Sequence, residues 1–257
     1  MNPLAEKYIR KAALPSIFCP GCGDGTILNA LLRVIDKTGG LENYAFVSGI
    51  GCSGWIAPLI NTDVIHTIHG RAIPVATGLA LSLPDKKIVV VTGDGDCAGI
   101  GGNHLIHGAR RNIDMTVVMV NNCIYGMTGG QASPTTPAGG KTKTSLYGNA
   151  ERPIDIPALA QVAGANFVAR ETAVDPLRLE KTLAKAIAHP GFSFVEVMTQ
   201  CPTQAGRNLY GDGRPKTLYH ALKNAAVSKK DAPLLPGQFR VGVLHEDSSQ
   251  PYAPPRR

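Results

Sequence analysis

The chain has no apolar run long enough to span a bilayer, so no membrane-crossing helix is expected. Its opening residues, Met1-Asn2-Pro3-Leu4-Ala5-Glu6-Lys7, hold no signal-peptide core, and the expected location is the cytoplasm. It has one tryptophan and no dense run of lysine and arginine, which argues against a nucleic-acid partner despite a formal net charge of +7. An acidic protein partner steered by that charge is an alternative. The charge alone supports only a surface with a mild excess of lysine and arginine. No internal repeat is present, so a repeat architecture is not expected. What remains, at 257 residues and 44% hydrophobic content, is a chain able to bury one large α/β core.

Two stretches carry most of the information. Lys87-Ile88-Val89-Val90-Val91-Thr92 runs into Gly93-Asp94-Gly95-Asp96, and Met115-Thr116-Val117-Val118-Met119-Val120 runs into Asn121-Asn122. Each is a short apolar, β-branched run that ends in polar residues, the pattern of buried parallel strands joined by a crossover. Ligands of open α/β sheets bind beyond the carboxyl ends of the strands, and Asp94 and Asn122 fall there. An anionic oxygen and a neutral amide oxygen suit Mg²⁺, a hard cation that usually shares its shell with substrate phosphates. Gly93 and Gly95 let the backbone approach a phosphate closely. A lone Gly-Asp-Gly carries little weight. Gly23-Asp24-Gly25 repeats it with no apolar strand before it and no asparagine pair at the corresponding distance. An ordinary turn after a buried strand competes for the first copy; strand, spacing and asparagine pair together disfavour it.

Along the chain, residues 1–24 read as an irregular arm, 25–226 as one α/β domain and 227–257 as a Pro-rich polar tail around the apolar segment 239–244, expected to contact another subunit. Helical spacing of Ile27, Leu28, Leu31, Leu32 and Ile35 predicts a helix over 25–37. Further helices are expected over 72–83, 103–111, 155–164 and 176–188, and strands over 44–48, 64–68, 88–92, 115–120, 167–170 and 192–199. Strands alternating with helices predict a mainly parallel sheet with helices on both faces. Residues 125–151, rich in Gly, Thr, Ser and Pro, form a long loop directly after the proposed metal ligand, which favours a functional loop.

Six cysteines in a chain with no export signal point to metal or redox chemistry before disulfides. Cys19-Pro20-Gly21-Cys22 can supply two thiolates to one metal centre. A thioredoxin-type pair should follow a strand, and none precedes Cys19; half of a zinc site remains an alternative. Cys52, in Gly49-Ile50-Gly51-Cys52-Ser53-Gly54, and Cys201, before Pro202, lie where sheet-end loops are expected. Cys97 and Cys123 follow the proposed metal-binding turns and read as small buried residues. Spacing does not choose among the six.

Several patterns are decoys. Gly49 to Gly54 fits GxGxxG, but His69 stands where a dinucleotide site wants an acidic residue. Gly140-Lys141-Thr142 ends like a phosphate-binding loop whose first glycine is replaced by Thr135. His66, His104 and His107 read as structural. His69 and Arg71, at the opening of a predicted helix, suit a diphosphate or a solvated cap equally well.

Gly-Asp-Gly, the spacer 96–120 and Asn-Asn resemble the thiamine diphosphate signature. More broadly, the chain resembles the beta subunit of 2-oxoacid:ferredoxin oxidoreductases over about 18–208. The shared marks are Cys-Pro-Gly-Cys (19–22), Ser-Gly-Ile-Gly-Cys-Ser-Gly (48–54), His-Gly-Arg-Ala (69–72), Gly-Asp-Gly-Asp (93–96), Asn-Asn (121–122), Tyr-Gly-Met-Thr-Gly-Gly-Gln (125–131), Ser-Pro-Thr-Thr (133–136) and Cys-Pro-Thr (201–203). The resemblance implies a thiamine diphosphate-binding fold. It implies that Cys19, Cys22, Cys52 and Cys201 hold one 4Fe–4S cluster. It further implies that Asp94 and Asn122, with the carbonyl of Ile124, hold Mg²⁺ on the diphosphate, and that His69, Arg71, Gly93, Gly95 and Asp96 border the cofactor. The implied reaction is oxidative decarboxylation of a 2-oxoacid, transfer of the acyl group to coenzyme A, and reduction of ferredoxin. Thiamine enzymes usually need an activating glutamate at the aminopyrimidine ring. No segment here reads as the domain that carries it, so an alpha subunit is expected to supply it.

Two positions depart from the family pattern. Trp55 stands where many relatives carry a cation, and Met127 where the pyruvate enzymes carry Asn, which favours a larger substrate; 2-oxoglutarate is preferred. Arg207 is one candidate partner for its distal carboxylate, against a solvent-facing or subunit-contact role. A non-redox thiamine decarboxylase or carboligase would leave the thiols idle. A non-catalytic iron–sulfur or zinc protein would leave the Gly-Asp-Gly and Asn-Asn pair unexplained.

Overall fold

The computed structural model describes residues 3–228 and 230–253, so the outermost ends of the amino-terminal arm and of the tail lie outside the described residues. In chain order its first half holds α1 (Pro3–Tyr8), α2 (Asp24–Lys37), β1 (Tyr44–Ser48), β2 (Val64–His66), α3 (Ala72–Ser82), β3 (Lys87–Gly93), α4 (Gly102–Arg110) and β4 (Met115–Asn121). A small hairpin follows, β5 (Ile124–Tyr125) and β6 (Gln131–Ala132). The second half holds α5 (Ile156–Val162), β7 (Phe167–Thr172), α6 (Pro176–Ala188) and β8 (Phe192–Met198). It closes with α7 (Arg207–Leu209), α8 (Pro215–Ala225), β9 (Ala226–Val227), β10 (Phe239–Arg240) and β11 (Gly242–Glu246).

Seven strands form one sheet in the order β11-β7-β8-β4-β3-β1-β2, with every pair parallel except β11 against β7. The near-continuous apolar runs of β3 and β4 are what a sheet buried on both faces requires. Alternation divides them. Val89, Val91, Val118 and Val120 meet α2 and α6 on one face, whereas Val90, Val117 and Met119 meet α3, α4 and α5 on the other. The α2 stripe of Ile27, Leu28, Leu31, Leu32 and Ile35 is buried as its spacing predicts, at roughly 1.5–3 kcal/mol per side chain. Helix α6 spans the predicted residues, opened by Pro176 and by Asp175, whose carboxylate accepts from Arg178 N at 3.2 Å.

Some expectations are revised. The arm 1–24 is not wholly irregular, since Pro3–Tyr8 is helical and Tyr8 Oη donates to Asp36 at 2.7 Å. The strand expected over 64–68 stops at His66, and that over 167–170 continues to Thr172, carried by pairing with β8. The apolar segment 239–244 is broken at Gly242 (φ +111), and β11 turns back to close the sheet edge beside β7. Among the described residues no helix is long and apolar enough to cross a membrane.

Candidate functional site

Because β1, β2, β3, β4 and β8 run parallel, the loops after them all open at one edge of the sheet. That edge carries a cleft lined by Cys52 after β1, His69 after β2, Asp94 after β3 and Asn122 after β4. Cys201 closes the neighbouring loop after β8, its sulfur close to the cleft residue Gly126. This is where ligands of open α/β sheets sit.

Asp94 is buried to 3% exposure, and its Oδ2 accepts from the hydroxyls of Ser133 and Thr135, each at 2.6 Å. Burial pushes its carboxyl up to about 6, against the pull of those two hydroxyls. Its two side-chain partners are neutral hydroxyls. Asn122 accepts from Ile124 N at 3.1 Å and borders the same cleft with Ile124. Between them, Cys123 takes a left-handed conformation, φ +62, which folds the two ligand candidates into one tight turn. A buried carboxylate, an amide oxygen and a nearby carbonyl form a hard-oxygen set that fits Mg²⁺ shared with a phosphate.

Asp96 has a different task. Its carboxylate accepts from Thr92 Oγ1 at 2.5 Å and Gly70 N at 2.7 Å and contacts His69 Nδ1, so it ties the loop after β2 to the end of β3. The glycines are set by side chains. A Cβ on Gly95 would stand 2.1 Å from the Tyr125 ring, and one on Gly93 would stand 3.1 Å from Ser53 Oγ. Directly after Asp94 the chain makes a π-helical turn, Gly95–Ile100, with Gly101 N donating to Asp96 O at 3.1 Å. A second one, Pro202–Gly206, follows Cys201, with Gly206 N donating to Cys201 O at 2.8 Å. Such turns recur at functional sites.

Cys52 and Cys201 lie beside this oxygen set, Cys22 stands within electrostatic range of both, and Cys19 is exposed. The sulfurs of Cys201 and Cys52 lie 3.6 and 3.8 Å from the point where a side-chain carbon on Gly126 would stand. Burial, then the Asp24 carboxylate, then neighbouring thiols push the Cys22 thiol well above its ordinary range and Cys52 up to about 12. Just before Cys201, Thr199 Oγ1 and Gln200 Oε1 are buried without a hydrogen-bond partner. Thiols in mutual electrostatic range fit an iron–sulfur centre, whose positive irons would reverse that pKa pressure. Among the described residues no three His, Cys, Asp or Glu side chains are placed to hold a single metal ion. Cys97 is buried in the second core, as expected of a packing residue, whereas Cys123, expected to be buried too, is only partly so in its left-handed turn.

Several candidates stand elsewhere. Arg71 does not line the cleft; its guanidinium donates to Gly70 O at 3.3 Å. Arg207 is exposed and also lies outside the cleft lining. Met127, 45% exposed, does line it. Trp55 stands beside His66, ring centroids 5.9 Å apart. Sequence reasoning gave no role to Ser133, Thr135, Asn121, Glu196 or Asp24. Glu196 had a signal, being one charge in an otherwise uncharged strand, and buried charges need partners.

Residues 49–197 match the family described as thiamine pyrophosphate enzyme, C-terminal TPP binding domain. The chain is 54% identical over 202 residues to 2-oxoglutarate synthase subunit KorB of Methanothermobacter thermautotrophicus, covering 78% of this chain and 71% of that one. It is 53% identical over 196 residues to the subunit of the same name in Archaeoglobus fulgidus, covering 76% and 73%. A solved structure, 2-oxoglutarate:ferredoxin oxidoreductase from Magnetococcus marinus with 2-oxoglutarate, coenzyme A and succinyl-CoA bound, superposes with a TM-score of 0.86. It is 32% identical and covers 96% of this chain and 86% of that one.

Proposed function

Since the chain belongs to the thiamine pyrophosphate enzymes, among the KorB-type beta subunits, we propose that it works in the oxidative decarboxylation of 2-oxoglutarate to an acyl-coenzyme A, with ferredoxin as electron acceptor. The observation that carries this reading is that two donor sets face one cleft, the oxygens of Asp94 and Asn122 and the sulfur of Cys52, with Cys201 adjoining. A non-redox thiamine enzyme would use only the first set.

In this reading Asp94, Asn122 and the Ile124 carbonyl hold Mg²⁺ and, through it, the diphosphate. Cys19, Cys22, Cys52 and Cys201 hold a 4Fe–4S cluster. When bound, thiamine diphosphate supplies the electron sink for loss of CO₂ and the cluster a path for single electrons. His69, fixed by Asp96, and Tyr125 border the cofactor. Met127 forms an adaptable apolar wall for the substrate. The activating glutamate and the cation for the distal carboxylate are assigned to a partner alpha subunit, because among the described residues the cleft lining holds neither a glutamate nor an arginine. Exposed Leu234 and Leu235 support a subunit contact on the tail.

The test is the complex co-purified anaerobically with its alpha subunit. Coenzyme A-dependent ferredoxin reduction should show its highest kcat/KM with 2-oxoglutarate, above pyruvate and a branched-chain 2-oxoacid. A preference for pyruvate overturns the substrate. Serine at Cys19, Cys22, Cys52 or Cys201 should remove iron and sulfide, and serine at Cys97 or Cys123 should not.

A further inference from the structure

Asn121 is the first of the two adjacent asparagines and is buried to 3% exposure. Its amide is pinned on both sides. Nδ2 donates to Glu196 Oε1 at 2.8 Å, and Oδ1 accepts from Cys123 N at 2.9 Å. A carboxylate on one side and a backbone N–H on the other leave one orientation of the amide. The same Oδ1 lies 3.0 Å from Thr135 Oγ1, which lies 2.6 Å from Asp94 Oδ2, so one hydroxyl proton is shared between the two segments. Glu196, 2% exposed, is neutralised by Arg170 Nε, and Arg170 Nη2 reaches Asp155 at 2.8 Å near the surface.

We propose that Asn121 is a positioning residue, held by the Glu196–Arg170 pair, that sets both metal-ligating segments of the cleft at once. Through Cys123 N it fixes the left-handed turn that carries Asn122 and Ile124. Through Thr135 it fixes the second oxygen of Asp94, leaving the other for the metal. This rests on the assignment of Asp94, Asn122 and Ile124 to Mg²⁺. It explains why two adjacent strands of a largely apolar sheet carry a buried ion pair between them, where charge is costly unless its partners are complete. It also gives the two adjacent asparagines different tasks, one outward toward the ligand and one inward.

The discriminating variants exchange groups without changing size. Asn121→Asp keeps the oxygen that Cys123 N and Thr135 use but sets a carboxylate against Glu196. The double variant Asn121→Asp/Glu196→Gln restores one donor between them, with an acceptor left for Arg170. Thiamine diphosphate binding to the assembled complex is followed by equilibrium dialysis across a Mg²⁺ titration. Half-saturating Mg²⁺ should rise about 10–100-fold for Asn121→Asp, as for other supporting residues of metal sites, and fall most of the way back in the double variant. Thr135→Val, which cuts the link to Asp94 without touching Glu196, should raise it too and serves if Asn121→Asp fails to assemble. A lowered melting temperature of the cofactor-free complex with unchanged half-saturating Mg²⁺ overturns the proposal and leaves a purely structural role. Wild-type complex that binds thiamine diphosphate without regard to Mg²⁺ overturns the metal assignment itself.

Discussion

Gly93-Asp94-Gly95 and Gly23-Asp24-Gly25 are one tripeptide in two settings. Both aspartates border the same cleft, at 3% and 2% exposure, and burial pushes both carboxyls up to about 6. Asp94 ends a buried strand and is gripped by the Ser133 and Thr135 hydroxyls, with Asn122 across the cleft. Asp24 opens α2 and is paired with the Cys22 thiol, with Cys52 feeling its charge. The tripeptide therefore sets burial alone. What a carboxylate can bind is decided by what the strand order brings to it, hard oxygens in one case and sulfur in the other.

The sharpest way to break this comparison is to delete each carboxylate. Asp94→Ala removes the only charged oxygen of the proposed Mg²⁺ set and should abolish thiamine diphosphate binding by calorimetry, with far-UV circular dichroism unchanged. Asp24→Ala should leave that binding within a few-fold of wild type. Full cofactor occupancy in a folded Asp94→Ala chain, or its loss in Asp24→Ala, would reverse the roles given to the two copies.

Stability should show what the two copies share. With each carboxyl raised to about 6 in the folded chain, the native state keeps protons that the unfolded chain has released above its own pKa near 4. These two carboxyls therefore withdraw stability from the cofactor-free chain as pH rises from about 4 to 6 and withdraw no more above that. Each ionised carboxylate costs on the order of 3 kcal/mol at neutral pH. Asp94→Asn and Asp24→Asn should each raise the urea midpoint at pH 7 and change it little at pH 4. Saturating Mg²⁺ and thiamine diphosphate should remove the Asp94 share of the wild-type slope and leave the Asp24 share. Equal slopes with and without cofactor would mean that no cation reaches Asp94.

The strands of the central sheet were readable because β-branched runs such as 88–92 and 115–120 carry their burial in local composition. That Asp94 and Asn122 would meet at one cleft was readable because the strand ends of such sheets open at one edge. Asp24 was not. It reaches the cleft from a helix start, and a pattern that looks for a preceding strand passes it by. Ser133 and Thr135 were visible only as polar residues of a long loop, since their meeting with Asp94 spans about 40 residues of chain. The edge strand β11 was hidden by Gly242, whose positive φ breaks one apolar segment into two short strands. Helix α8 was hidden because only Leu218 and Leu222 of it are buried, too few for a helical stripe.

The smallest expected effects lie in the flanking glycines, and there the copies should differ in sign. At Gly95 an added methyl would stand 2.1 Å from the Tyr125 ring, which donates its own hydroxyl to Gly95 O at 3.1 Å and lines the cleft. The ring must move, so Gly95→Ala should cost about 1–3 kcal/mol by overpacking and weaken cofactor binding as well. At Gly25, an exposed position in the first turn of α2, an added methyl would meet nothing within 4 Å. Alanine is the better helix former there by up to about 1 kcal/mol, so Gly25→Ala should stabilise the chain slightly and leave cofactor binding alone. Urea denaturation of both variants beside wild type measures the two signs. A destabilised Gly25→Ala with weakened cofactor binding would mean that the start of α2 presses on the cleft through more than the Asp24 carboxylate.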